Sequence, residues 1–470
     1  MNDFADNSRE RALAEVLRTH PAVADAAVVE GTDGHSLSAR LVPDPDAASM
    51  LHRSAVLEAA GKLGDLAWHE PAGRVRVAGF NRTETDFLYR EIFTENAYFR
   101  HGITLPAGAV VVDVGANIGM FTLRAARHSP GARVIAVEPV AELAEAVALN
   151  AELHQVDATV LHHALGSAEG ETEFTFYPNN SVMSGRFADT CEDVAVLKGY
   201  LLTGHNAEKG TQLDRLVADR MRAEHRRVRV TTLARVADEL GLQRIDLLKI
   251  DVEKAEAEVL EGIGDALWPR IERIVMEVHD VDGRLDAVLK ELRSRGFDVA
   301  HDQDPRLLLT PCHNVYARRP EAAAESVSDA APAFDGGPAL RELEQELRDL
   351  LARHLPSAVP PDRFAVVADV SVTGGGPAVP VQVPDLSADG PRTAVLTRIW
   401  SALFGAEAVR PDADFFDLGG DSLTAVRMLA DIEAELGEGA LTPDTVFTDS
   451  TFGALAAAIE AGPLPGRAAG

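Results

Sequence analysis

Residues 110–121 read Val110-Val111-Val112-Asp113-Val114-Gly115-Ala116-Asn117-Ile118-Gly119-Met120-Phe121, and this run decides the fold class. An apolar strand leads through a glycine turn into a helix, which is the opening βα unit of a nucleotide-binding sheet. The glycines fall as Gly-x-x-x-Gly behind Asp113, not as Gly-x-Gly-x-x-Gly. An acid at the strand end suits a ligand with an ammonium group better than one with a pyrophosphate. Working outward, Arg133-Val134-Ile135-Ala136-Val137-Glu138 is the next strand, and it ends in an acid nineteen residues past Gly119. A carboxylate there can accept both hydroxyls of a ribose. Asp113, Gly115, Asn117, Gly119 and Glu138 together indicate S-adenosylmethionine (SAM).

Two later strands carry charge to the same edge. In Ile274–His279 a period of two puts Glu277 and His279 on one face at the carboxyl end, where ligands sit in such sheets. His279 has an ordinary pKa near neutrality and is the candidate general base; a purely structural place at a strand end is the competing reading. Over Leu247–Glu253 the same period aligns Lys249, Asp251 and Glu253. Asp251 or Glu253 could orient His279 or hold a substrate hydroxyl, against the plainer reading of a solvated strand end.

At this point a family resemblance becomes specific. The stretches "FNRTETDFLYREIFTENAYFRHGITL", "VVDVGANIGMFTL", "FTFYPNNSVMSG", "LLKIDVEKAEAEVL" and "MEVHDVDGRL" resemble FkbM-type O-methyltransferases over roughly residues 78 to 300. The match is closest to those embedded in polyketide and nonribosomal peptide assembly lines. The resemblance implies a Rossmann-like, mostly parallel seven-stranded α/β sheet flanked by helices. It also implies that the polar, turn-rich run 177–185, with Ser181, lines the site. Glu84 and Tyr98 would close over the methionine end of SAM. His162-His163-Ala164-Leu165 reads as the end of another strand, where a backbone amide and Leu165 could border the adenine. Where the family usually has glycine after the glutamate of "KIDVE", this chain has Lys254.

Near the C-terminus, Asp417-Leu418-Gly419-Gly420-Asp421-Ser422-Leu423 resembles the attachment site of a thiolation (carrier) domain, with Asp414-Phe415-Phe416 before it. The glycines permit a tight turn, and a serine at a helix start places an attached phosphate beside unpaired N–H groups. The resemblance implies 4'-phosphopantetheine on Ser422. At the other end, "HPAVADAAVV" and "SLSARLVPDP" resemble the C-terminal subdomain of adenylating enzymes of nonribosomal peptide synthesis. Its continuation reappears about three hundred residues later, in a helix from Leu340 and a strand at Phe364–Val367. Thr373-Gly374-Gly375-Gly376-Pro377 has proline where the family's catalytic lysine would fall, so no amino-acid activation is expected from this piece.

The boundaries read as 1–48 and 339–380 for the split adenylation-like α+β subdomain, 49–318 for the methyltransferase, 319–338 and 381–391 for linkers, and 392–464 for a four-helix carrier. Net charge is −29 with no basic cluster, which argues against nucleic acid and anionic membrane surfaces. No signal peptide or apolar span is visible, so a cytoplasmic location is expected. Only Cys191 and Cys312 are present, which predicts no disulfide framework and no thiolate metal site; no metal ligand set is expected elsewhere. The expected activity is SAM-dependent O-methylation of an acyl or aminoacyl group held as a thioester on Ser422. Expected partners are a phosphopantetheinyl transferase, an adenylation or loading enzyme in trans, and condensation or thioesterase domains. Two alternatives stay open: a catalytically silent carrier scaffold, and N-methylation of a tethered amino group.

Overall fold

The computed structural model describes residues 3–31, 36–73, 75–188, 220–304, 310–320, 336–371 and most of 391–461, with isolated positions between 190 and 218. Its centre is a mixed seven-stranded sheet: Val110–Val114 (β1), Arg133–Val137 (β2), Asp157–Leu161 (β3), Leu247–Ile250 (β4), Arg273–His279 (β5), Asp298–Asp302 (β6) and Cys312–Arg318 (β7). The strands lie in the order 3-2-1-4-5-7-6. β1 to β5 pair in parallel, and β7 runs antiparallel between β5 and β6. This is a Rossmann-like, doubly wound sheet with one antiparallel strand.

The strand sequences explain the layering. β1 is almost wholly apolar, as expected of a parallel strand covered on both faces. Val112 and Val114 join one buried cluster with Leu248, Ile250, Ile274 and Met276, while Val111 joins the opposite one with Leu247 and Val275. Each such side chain contributes about 1.5–3 kcal/mol through burial. The strand order reverses between β1 and β4, so a crevice opens beyond their carboxyl ends.

β4 ends at Ile250, short of the expected Glu253. The cause is local: Glu253 and Lys254 both take left-handed backbone, with φ of 46° and 73°. A glycine would adopt that turn without strain. Here the turn is nonetheless made, and Lys254 is tied down by a 2.9 Å bond from Nζ to Asp193 Oδ1 and one of 3.0 Å from its backbone N to Glu256 Oε1. The run His162–Leu165 is also not the end of β3, which stops at Leu161; Ala164–Leu165 pairs instead with residues 230–231 of the strand Glu224–Thr231.

A separate three-stranded sheet is made from the two extremities of the first 370 residues. Val23–Glu30 runs antiparallel to Leu37–Pro43, and Arg363–Val366 adds in parallel along Leu37–Pro43, from Arg363 opposite Ser38 to Val366 opposite Leu41. Helix Leu340–His354 carries Leu343, Leu347 and Leu351 at four-residue spacing, and they pack into one cluster with Leu13 and Leu17 of helix Asp3–Leu17. Residues 321–335 and 372–390, which hold the connectors and the Thr373–Pro377 run, lie outside the described residues, as does Cys191.

Beyond them, helices Pro391–Phe404, Ser422–Leu436 and Phe452–Ala461 surround Trp400, whose ring meets Phe404, Phe415 and Phe452 edge-on. The second of these helices begins on Ser422, whose side chain lies outside the described residues. Gly420 is required just before it, because a Cβ there would stand 2.4 Å from the Phe415 ring. Among the described residues no helix is long and apolar enough to cross a membrane.

Candidate active site

A cavity of about 640 Å³ occupies the β1/β4 crevice. On its β1/β2 side the grip is mostly backbone. Gly115 has φ +77°, and its N donates to Val137 O at 2.9 Å; a Cβ on it would lie 1.8 Å from the Asp251 carbonyl oxygen. Only glycine fits. Asn117 follows with φ 50° and donates from Nδ2 to Ser181 Oγ at 2.8 Å. Ser181 in turn donates to Glu84, whose Oε1 also accepts from Val182 N at 3.0 Å. Burial raises the Glu84 carboxyl above its ordinary value. Glu138 is 4% exposed and accepts from Asn117 N at 2.9 Å and Val140 N at 3.0 Å. Burial pushes its pKa up to about 7.

The β4/β5 side is held by charged side chains. Lys249 is 3% exposed and lies 3.2 Å from Asp113 Oδ1 and 3.5 Å from Asp251 Oδ2, donating also to Gly115 O at 2.6 Å. Burial alone would lower its ammonium, but the two carboxylates hold it above the usual lysine value. Tyr98 donates to Asp251 Oδ2 at 2.9 Å, with its hydroxyl pKa raised well above 10 by burial and that carboxylate. His279 is enclosed by acids: Glu256 Oε1 is 2.8 Å from Nδ1, and Glu253 Oε2 and Glu277 Oε1 are 3.2 and 3.8 Å from Nε2. Burial opposes its charge, but Glu253, the Cys312 side chain and Glu256 lift its pKa well above 6.5. Burial, followed by Cys312 and Asp251, likewise drives Glu277 well above the carboxylate range.

This arrangement places the expected general base, His279, inside a ring of acids on the cavity wall. Its raised pKa favours the charged imidazole, and Glu277, raised as well, stands 3.8 Å from its Nε2.

Of the residues singled out in the sequence, Glu84, Tyr98, Gly115, Asn117, Glu138, Leu165, Ser181, Asp251, Glu253, Glu277 and His279 all line this one cavity. Asp113 and Gly119 do not line it, which corrects their expected contact with the ligand. Asp113 is fully buried beneath it, its carboxylate taken by Lys249 and by Thr122 Oγ1 at 2.7 Å. Gly119 instead admits helix Ala141–His154, since a Cβ there would meet Val147 Cα at 3.2 Å.

Sequence reasoning missed Glu256 and Cys312. Glu256, fully buried, also accepts from Arg284 Nη1 at 2.9 Å; Cys312 reaches the cavity because β7 pairs it with His279. No metal site was expected, yet the fold gathers Glu277, His279 and Cys312, and also Asp251, Glu253 and Glu277, with ligand atoms within 4.8 Å of one another in each group. Either set could hold a cation, which at the first would displace the proton of His279.

Comparison with known proteins fits this geometry. Residues 113–299 match the methyltransferase FkbM domain, and residues 394–459 match a phosphopantetheine attachment site. The chain is 44% identical over 244 residues to the 31-O-demethyl-FK506 methyltransferase FkbM of Streptomyces tacrolimicus, a match covering 52% of this chain and 93% of that protein. The chain belongs to the FkbM methyltransferase family. This FkbM domain is therefore SAM-dependent, and the domain that follows takes 4'-phosphopantetheine. The Gly115 turn, which a single Cβ would fill, and the buried Glu138 carboxylate fit the nucleoside part of SAM.

The AMB antimetabolite synthetase AmbE of Pseudomonas aeruginosa is 37% identical over 489 residues, covering 97% of this chain. The chain spans 22% of that relative's length. The solved methyltransferase FkbM of Methylobacillus flagellatus aligns over 58% of this chain and 60% of its own at 14% identity, with a TM-score of 0.31.

Proposed function

We propose that this protein methylates an oxygen of an acyl or aminoacyl group tethered as a thioester to a phosphopantetheine arm on Ser422, within a nonribosomal peptide or hybrid polyketide assembly line. One observation carries the oxygen acceptor: Glu277, a cavity-wall carboxyl with a raised pKa, stands 3.8 Å from His279 Nε2 and shares that imidazole with Glu253 at 3.2 Å. A hydroxyl must lose its proton as it is methylated, and a carboxylate of raised pKa is suited to take it. An amine acceptor has less need of such a base.

When bound, SAM supplies an electrophilic methyl group. Gly115, Asn117 and Glu138 would hold its nucleoside, with Leu165 beside the adenine, and Glu84, Ser181 and Tyr98 would bound its amino-acid end. Asp251 and Glu253 orient the acceptor hydroxyl and His279, and Glu277 receives the proton. The relative of S. tacrolimicus is named for an O-demethyl substrate, and AmbE for a synthetase, which supports both halves of the reading. The three-stranded sheet serves as an adenylation-type cradle without activating chemistry. Loading then falls to adenylating machinery outside these residues, and a phosphopantetheinyl transferase must first modify Ser422.

The test is intact-mass spectrometry of the carrier loaded with hydroxyacyl or aminoacyl pantetheines, with and without SAM. A gain of one methyl on hydroxyl-bearing loads is expected. Methyl gain on loads whose only acceptor is an amine would establish N-methylation, and SAM binding without any methyl gain would establish a silent scaffold.

A further inference from the structure

Phe416 and Gly420 of the carrier line the same cavity as Glu277 and Glu138. The contact is anchored by a partly buried charge pair: Arg82 Nη1, at the start of helix Arg82–Tyr89, lies 2.9 Å from Asp414 Oδ2. Both partners are held in place. Asp414 is 9% exposed, and it accepts from Ser450 Oγ at 2.6 Å and from Phe416 N at 2.9 Å. Arg82 also pairs through Nε with Asp86 Oδ2 at 3.4 Å, one turn along its helix. That helix is capped by Asn81, which lines the cavity together with Thr83, Glu84 and Asp86. One short helix thus presents its cation to the carrier and several neighbouring residues to the site.

We infer that the Arg82–Asp414 pair, with Phe416 at the cavity mouth, is a docking latch that seats the carrier on its own methyltransferase. The attachment serine lies two residues past Gly420, at the start of a helix, so an arm on Ser422 begins at the rim it must enter. The latch is selective for the tethered form of the substrate. An acyl group presented without the carrier gains nothing from Arg82. The inference rests on Ser422 as the attachment point, but not on which atom is methylated.

The experiment compares the wild-type full chain with Arg82→Glu, each carrying a fluorescent pantetheine on Ser422. In the wild type the probe should tumble with the whole 50.2 kDa chain. In Arg82→Glu its anisotropy should fall, and single-turnover methylation of the tethered acyl group should slow about five- to tenfold, as expected for loss of a partly buried charge pair. Methylation of the same acyl group on free pantetheine should not change. Equal anisotropy in the two proteins would overturn the latch even if no methylation is seen in either. An equal loss on tethered and free substrates would overturn it too, by placing Arg82 in the site proper. Phe416→Ala, read by the same probe, provides a second variant that should also release the carrier.

Discussion

The two halves of the cavity grip in different ways. On the β1/β2 side, polarity comes from backbone amides, one cap-like carboxylate and a glycine that tolerates no side chain. On the β4/β5 side, Lys249, Asp251, Glu253, Glu277 and His279 crowd within ion-pair distances. A part of the ligand that is the same in every turnover can be held by fixed backbone. A site that must exchange a proton needs groups whose charge can change, and burial tunes them.

The difference can be broken most severely at Glu277. Glu277→Gln keeps the shape and removes the proposed proton acceptor, so single-turnover methylation should fall on the order of 10²–10⁴-fold while SAM affinity by calorimetry stays close to wild type. An equal loss of SAM affinity would mean the two halves are not separable. The second break is at Lys249, which touches both halves through Asp113 and Asp251. Lys249→Met strands two carboxylates around a buried methyl group, and unfolding by denaturant should show a loss of about 3–5 kcal/mol. The mildest test sharpens the β2 side. Hydrogen bonds from a ribose favour the ionised form of Glu138, whose pKa in the free protein is about 7. Below that pH a proton must leave before SAM binds, so affinity should weaken about tenfold between pH 8 and pH 6. Glu138→Gln should bind more weakly and without that pH dependence.

The same division governs what could be read from the chain alone. The backbone side was legible because its signal is local: the glycine turn and the acid after the next strand have fixed spacing, and both line the cavity. The alternation in β5 also brought Glu277 and His279 to the right edge. The enclosure of His279 was not legible. It depends on Glu256, which arrives on the first turn of the helix Glu256–Glu261 after an irregular turn, and on Cys312, which arrives by antiparallel register from a strand more than thirty residues on. No short-range pattern encodes either. Asp113 was misjudged for a related reason. Its sequence position is that of a ligand group, but Lys249, on a neighbouring strand, claims its charge.

The small sheet that joins residues 23–43 to 363–366 sets an order of assembly. As the chain leaves the ribosome, all seven strands of the central sheet emerge before Arg363–Val366 exists. Until then Leu37–Pro43 is an open edge with unpaired amides and carbonyls, a template for foreign strands. The first two strands of this sheet therefore wait for their partner until the central sheet is complete, and a nascent chain that stalls before residue 363 carries that finished sheet with an adhesive flank.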